Sequence, residues 1–210
     1  MALPVIVDPS SYDKVIATHH AMVLVSGFLT LNEIPKPKRF ITEFDVDAKP
    51  PGKNLWHDFG FYWQGTVFVN VKKSRPPVKT PGFSWTYTGS KADLTAPGII
   101  AHEHGHYVHH HLEETGGKAV RVDIINALNR LIDIEPPVSG YEPNAYELWA
   151  EAMRLFILNP KLLEEGRPGR YKMLCDFGLR PCHETPWREV LKHAHPRIIT
   201  MLENWVKRAL

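Results

Sequence analysis

Apolar and polar positions follow one rhythm before about residue 95 of this chain and another after it. In the first part the apolar residues come in short runs set apart by proline and glycine. In the second they recur at the three-to-four-residue spacing of a helix. Residues 40–46 alternate apolar and polar, as a half-buried strand does, and residues 61–71 and 83–88, rich in aromatic and β-branched side chains, read as two more strands. The proline-bearing segments 35–37, 50–51 and 76–81 connect them. A helix is expected ahead of the strands, capped by Ser10 or Ser11 and running through His20 into Met22-Val23-Leu24-Val25.

The second part predicts longer helices. Thr95 is a good cap, and Pro97 sits in the first turn, where its missing N–H costs nothing. That helix runs to about Glu114 and should end at Gly116-Gly117. A second helix fits residues 119–134, stopped by Pro136-Pro137, and a third fits residues 144–158, stopped by Pro160. Shorter helices follow, the last over residues 196–208. No repeat or low-complexity tract interrupts the chain. The expected architecture is one α+β domain over residues 1–210: a small N-terminal β-sheet layer (1–94) followed by a mainly helical half (95–210).

Composition narrows the function classes. A chain of 210 residues, 43% apolar and 23% charged, buries enough surface to fold without disulfide staples. The formal net charge is only +2 and the two signs are mixed, which argues against nucleic acid as the main partner. Cys175 and Cys182 are the only cysteines. Free thiols are the simpler reading, and a zinc site built from Cys175, Cys182 and His183 matches no usual ligand spacing. The N-terminus, MALPVIVDPSSYDKV, lacks the positive region and cleavage site of a signal peptide, and the apolar run 21–29 is too short to cross a bilayer. A cytoplasmic or otherwise soluble protein without membrane partners is therefore expected.

The chemistry concentrates in the helix that begins after Thr95, which carries Ala101-His102-Glu103-His104-Gly105-His106. His102-Glu103-x-x-His106 is the HExxH pattern. Residues four apart lie about 40° apart around a helix, so both imidazoles can point at one spot. Glu103, about 100° from His102, stands close to a metal there without ligating it, where it can take a proton from activated water. Ala101, Gly105, Val108 and Leu112 form an apolar stripe on an adjacent face that would seat the helix on a core.

The third helix carries the complement. Glu147, Glu151 and Arg154 share one narrow stripe of a helix otherwise dominated by Leu148, Trp149, Ala152, Met153, Leu155 and Phe156. A helix this apolar is buried, and buried carboxylates need a cation. Zinc held by two histidines and Glu147 would satisfy one of them and leave a position open for water. Glu151 could then bind the outer nitrogen of a ligand histidine and fix its tautomer. The competing picture, a salt-bridged stripe on a solvated face, fits the apolar remainder of the helix poorly.

Together the two segments, Ala101-His102-Glu103-His104-Gly105-His106 and Glu147-Leu148-Trp149-Ala150-Glu151-Ala152-Met153-Arg154-Leu155, resemble the gluzincin metallopeptidases of the anthrax lethal factor type. Leu148 replaces an aromatic and Met153 a phenylalanine of that pattern, and the similarity spans roughly residues 97–209. The resemblance implies a zincin-like fold for the helical half and one zinc ion bound by His102, His106 and Glu147. It also implies Glu103 as general base and a supporting role for Glu151. A tyrosine just before the third ligand helps stabilise the tetrahedral intermediate in that family; Tyr141 is the best match, with Tyr146 as the alternative.

The remaining histidines sort by geometry. A metzincin site would need Gly at position 109 and His at 112, where this chain has His109 and Leu112. His110 lies about 80° round from His102 and is an awkward ligand, whereas His109 should support the site or line its pocket. His104 and His111 point the other way, to the surface or into packing. The expected activity is zinc-dependent peptide-bond hydrolysis on a peptide or protein substrate, held by edge pairing to a strand such as residues 66–71. The rival is a non-catalytic structural or binding protein retaining the fold. It has no need of Glu103 and would require a fourth protein ligand, such as His109. A nucleic-acid-binding zinc protein is disfavoured by the charge balance and the missing paired cysteines.

Overall fold

The computed structural model describes residues 14–42, 59–75, 93–142 and 144–181. The expected Ser10/Ser11 cap, the strand at 83–88, the last helix at 196–208, Cys182 and His183 lie outside the described residues. Within them the chain forms α1 (Lys14–Leu31), β1 (Arg39–Thr42), β2 (Gly60–Trp63), β3 (Thr66–Val69), α2 (Ala96–Ile132), α3 (Ala145–Leu158), α4 (Pro160–Gly166) and α5 (Pro168–Asp176). This is an α+β arrangement in which a three-stranded sheet accompanies a larger helical part.

The single apolar run at 61–71 is not one strand. Gln64 and Gly65 both take positive φ, 47° and 79°, and fold the run into a β2–β3 hairpin. Positive φ at two central residues matches the right-handed twist of the flanking strands, and glycine adopts it without steric cost. Strand order is β1-β3-β2, with β1 parallel and β2 antiparallel to β3. The expectation that residues 66–71 offer a free edge is therefore wrong. β3 is paired on both sides, because the hairpin turn consumes one of its edges and β1 the other. Among the described residues the open edge on the hairpin side belongs to β2.

Alternation along β3 sends Val67 and Val69 into the main core, while Phe68 turns to the other face and stacks on Phe61 at 4.2 Å. The main core lies between sheet and helices. It gathers Ala21, Val25 and Phe28 of α1, Ile100 and Val108 of α2, and nearly the whole of α3. Phe28 meets Phe156 edge to face at 6.1 Å.

α2 starts as expected: Thr95 Oγ1 accepts from the Gly98 amide, and Pro97 occupies the first turn. Its first helical run breaks where expected, at Gly116-Gly117. Gly117 takes φ 71° and ψ −166°, one non-helical residue that kinks the rod, and the helix resumes to Ile132. A lone glycine with a positive φ redirects the chain without a loop, so the two predicted helices follow each other directly across the kink within α2.

α2 and α3 pack unusually close. A Cβ on Gly105 would lie 2.9 Å from Met153 Cβ and 3.0 Å from Ala150 Cα, and Trp149 Nε1 donates to the Gly105 carbonyl at 3.1 Å. This contact brings the histidine face of α2 against the acidic stripe of α3. Cys175, half buried on α5, is a free thiol. No helix among the described residues is long and apolar enough to cross a membrane.

Candidate metal centre

His102 and His106 project from α2 with ring centroids 4.9 Å apart and planes nearly perpendicular. Glu147 enters from the first turn of α3, a turn capped by Asn144, whose side chain accepts from the Tyr146 and Glu147 amides. Glu147 Oε2 lies 3.0 Å from His102 Nε2 and 3.4 Å from His106 Nε2. Among the described residues these three form the one group of His, Cys, Asp or Glu with donor atoms all within 4.8 Å of one another. Ligands about 2.0–2.1 Å from a tetrahedral zinc ion stand about 3.3 Å from each other, so the spacing suits that ion.

Charge points the same way. Burial opposes the charged form of His102, but hydrogen bonds to Glu147 and Glu151 outweigh it and carry its pKa to about 10. Glu147 is likewise opposed by burial and held down to about 2 by His102 and His106. Two carboxylates thus demand a cation on His102. At Nε2 a metal ion can replace the proton while Nδ1–H still donates to Glu151 Oε1, 2.8 Å away.

Glu151 is itself anchored. Arg154 donates to its oxygens from Nε at 3.2 Å and from Nη2 at 2.9 Å, and reaches Asp93 Oδ2 from Nη1 at 3.4 Å. Asp93 Oδ1 accepts from the amide and hydroxyl of Thr95, at 3.0 and 2.8 Å, so the same network ends in the cap of α2. Arg154 is completely buried and Glu151 nearly so, which excludes the solvated stripe considered above. Burial also opposes the charged form of Glu151, but Arg154 and His102 hold its pKa far below the usual carboxylate range. Burial lifts Asp93 to about 7, even though Arg154 and Thr95 pull it down.

Glu103 is buried and lines a cavity of about 830 Å³ that also receives His102, His106 and Glu147. β2 closes one side of it. A Cβ on Gly60 would come within 2.8 Å of Glu103 Oε1, so the strand approaches the carboxylate as only a glycine allows. Tyr141 also lines the cavity, half exposed, its ring 5.9 Å from that of His102. Tyr146 lines the same cavity, but its ring faces His109 at 5.1 Å and its hydroxyl accepts from Arg121 at 2.8 Å.

His109 lines the cavity, stacked on Trp149 at 5.3 Å with Nε2 3.5 Å from Glu113 Oε1. Burial, chiefly, lowers its pKa to about 4. His110 borders Tyr62 and Glu114 on a more exposed side. His104 is fully buried, its Nδ1 bonded to the Ile100 carbonyl at 2.7 Å, and burial lowers its pKa to about 4. Sequence reasoning did not find Asp93 or Gly60. Asp93 lies 61 positions before Arg154, and nothing local marks either residue as part of the site.

No family model, curated protein or solved structure matches the chain.

Proposed function

We propose that this chain is a zinc-dependent endopeptidase with a zincin-like helical half, of the gluzincin type to which anthrax lethal factor belongs. The observation that carries the reading is the convergence of His102, His106 and Glu147 on one point beside the buried carboxylate of Glu103. Two imidazoles and one carboxylate are the donor set of a hydrolytic zinc site with a position left open, whereas a structural site takes four protein ligands. His109, the residue a fourth ligand would require, is instead stacked on Trp149.

Zinc, when bound, supplies Lewis acidity toward a scissile carbonyl and toward water. Glu103 takes the proton of the water that attacks the carbonyl carbon and passes it to the amine nitrogen as the C–N bond breaks. Glu151 keeps His102 in the tautomer that presents Nε2 to the metal, and Arg154 holds Glu151 in place. Tyr141, which lines the cavity beside His102, donates to the oxygen that gains charge. The substrate backbone lies along the open edge of β2, the strand that borders the cavity.

Elemental mass spectrometry on the purified, untagged chain tests the ligand set. About one zinc ion per chain is expected, mostly lost in Glu147→Ala. Glu103→Gln should keep the metal and lower cleavage of a mixed peptide library by about 10²–10⁴-fold. Zinc content unmoved by Glu147→Ala would sink the ligand set. Full cleavage by the metal-loaded Glu103→Gln chain would remove Glu103 as the base.

A further inference from the structure

A second buried ion pair lies away from the metal centre. Arg170 of α5 is 1% exposed, and its Nη1 donates to Glu142 Oε2 at 2.8 Å. Replacing such a pair by apolar side chains of similar volume is often neutral or stabilising, so stability alone is a weak reason for its presence. What the pair holds supplies a better one.

The connection from α2 to α3 has no regular structure to satisfy its backbone. Glu142 Oε1 accepts from the amides of Val138 and Ser139, at 2.6 and 3.2 Å, and closes the segment onto itself. Ser139 Oγ in turn accepts from the Tyr141 amide at 3.1 Å. The approach to α5 grips the preceding stretch. Gly169 and Arg170 donate their amides to Glu135, and Arg167 donates to the carbonyls of Pro136 and Pro137. Val138 and Ser139 are fully buried by this clamp, while Tyr141, between Ser139 and Glu142 in sequence, stands half exposed facing His102. Half of the Tyr141 surface lies in solvent, and the backbone leading to it is tied to Glu142, the residue that follows it.

We propose that Glu142 and Arg170 are positioning residues for Tyr141, fixing its loop so that the hydroxyl meets the oxyanion; this rests on the peptidase reading above. Replacing both by apolar residues, Glu142→Leu with Arg170→Met, leaves no buried charge unpaired, so what is lost is the acceptor of the Val138 and Ser139 amides. The probes are an N-acyl dipeptide phosphonamidate, which mimics the tetrahedral adduct, and the matching hydroxamate, both titrated calorimetrically into the zinc-loaded full chain. Tyr141→Phe should weaken the phosphonamidate by at least about tenfold and spare the hydroxamate. The apolar pair should retain zinc, melt somewhat lower because two buried amides lose their acceptor, exchange its 138–141 amides faster, and show the same phosphonamidate loss. Adding Tyr141→Phe to it should cost nothing further, since one interaction is lost once.

Full phosphonamidate affinity in the apolar pair, with Tyr141→Phe weakened, would overturn the proposal and leave the pair a purely structural one. If the pair fails to fold, Glu142→Gln replaces it. That substitution replaces one acceptor oxygen by an NH2 group, so it cannot hold both the amides and Arg170, and unchanged affinity there overturns the proposal equally. Wild-type affinity in Tyr141→Phe would remove the tyrosine's role and the clamp's purpose with it. The zinc and Glu103→Gln tests would still stand.

Discussion

At the scale of single residues, the site is governed by where burial forbids charge and where it forces charge to be paired. His102 and His104 are two residues apart on α2 and meet opposite fates. His102 faces two carboxylates and is held as a cation or a metal ligand, whereas His104 faces only the core and the Ile100 carbonyl and stays neutral. The pKa of His104, about 4 in the fold, lies below its unfolded value of about 6.5. Between those values the unfolded chain binds more protons, so stability rises with pH across that window and is lost as pH falls through it. The contribution is roughly 3 kcal/mol. Urea unfolding from pH 4 to 7 should show that slope, and His104→Leu should flatten it. A difference between wild type and variant that is constant with pH would refute the assignment.

At the scale of elements, everything rests on how closely α2 and α3 approach. The helices carry complementary stripes, histidines on one and acids on the other, and only the missing side chain of Gly105 lets them meet. Gly105→Ala adds a methyl against Ala150 Cα, a backbone atom that cannot rotate away, so the axes must part. Overpacking of about 1–3 kcal/mol, offset by about 1 kcal/mol of helix propensity, predicts a small net destabilisation. Because the ligands are divided between the two helices, zinc affinity should fall more sharply, about tenfold or more. A competition titration with a chromophoric chelator reads this directly, and unchanged affinity would mean that the helix separation does not set the ligand spacing.

At the scale of the whole molecule, the candidate metal centre and the fold are one network. From His102 the contacts run through Glu151 and Arg154 to Asp93 and the Thr95 cap, so α2, α3 and the segment entering α2 are fastened at the same place. A ligand that binds only the folded state stabilises it by about 2.7 kcal/mol at a free concentration a hundred times its Kd. For a chain of this size that amounts to a rise in Tm of roughly 5–10 °C. Differential scanning fluorimetry should show this shift on adding zinc and its reversal by EDTA. The shift should disappear in Glu147→Ala, and a Tm insensitive to zinc in the wild type would contradict the coupling.

How much of this was legible beforehand follows from the range of each interaction. Helical periodicity and caps are local, so the start of α2, the whole of α3 and the shared face of His102 and His106 are written in spacings of three, four and seven residues. The acids of an apolar helix also declare by themselves that they need a cation. The break at Gly117 was written in the Gly116-Gly117 pair. What local pattern did not resolve was that Gln64 and Gly65 cut one apolar run into a hairpin. Longer-range matters were decided only by tertiary packing: which strand keeps an open edge among the described residues, that Gly60 presses on Glu103, and that Asp93 reaches Arg154. The same holds for Arg170 bracing the loop of Tyr141. The sequence by itself determined which residues can bind a metal and move a proton, because those properties belong to side-chain chemistry and helical spacing. Only the tertiary structure decided where they meet, because contacts between residues tens of positions apart depend on how whole elements pack.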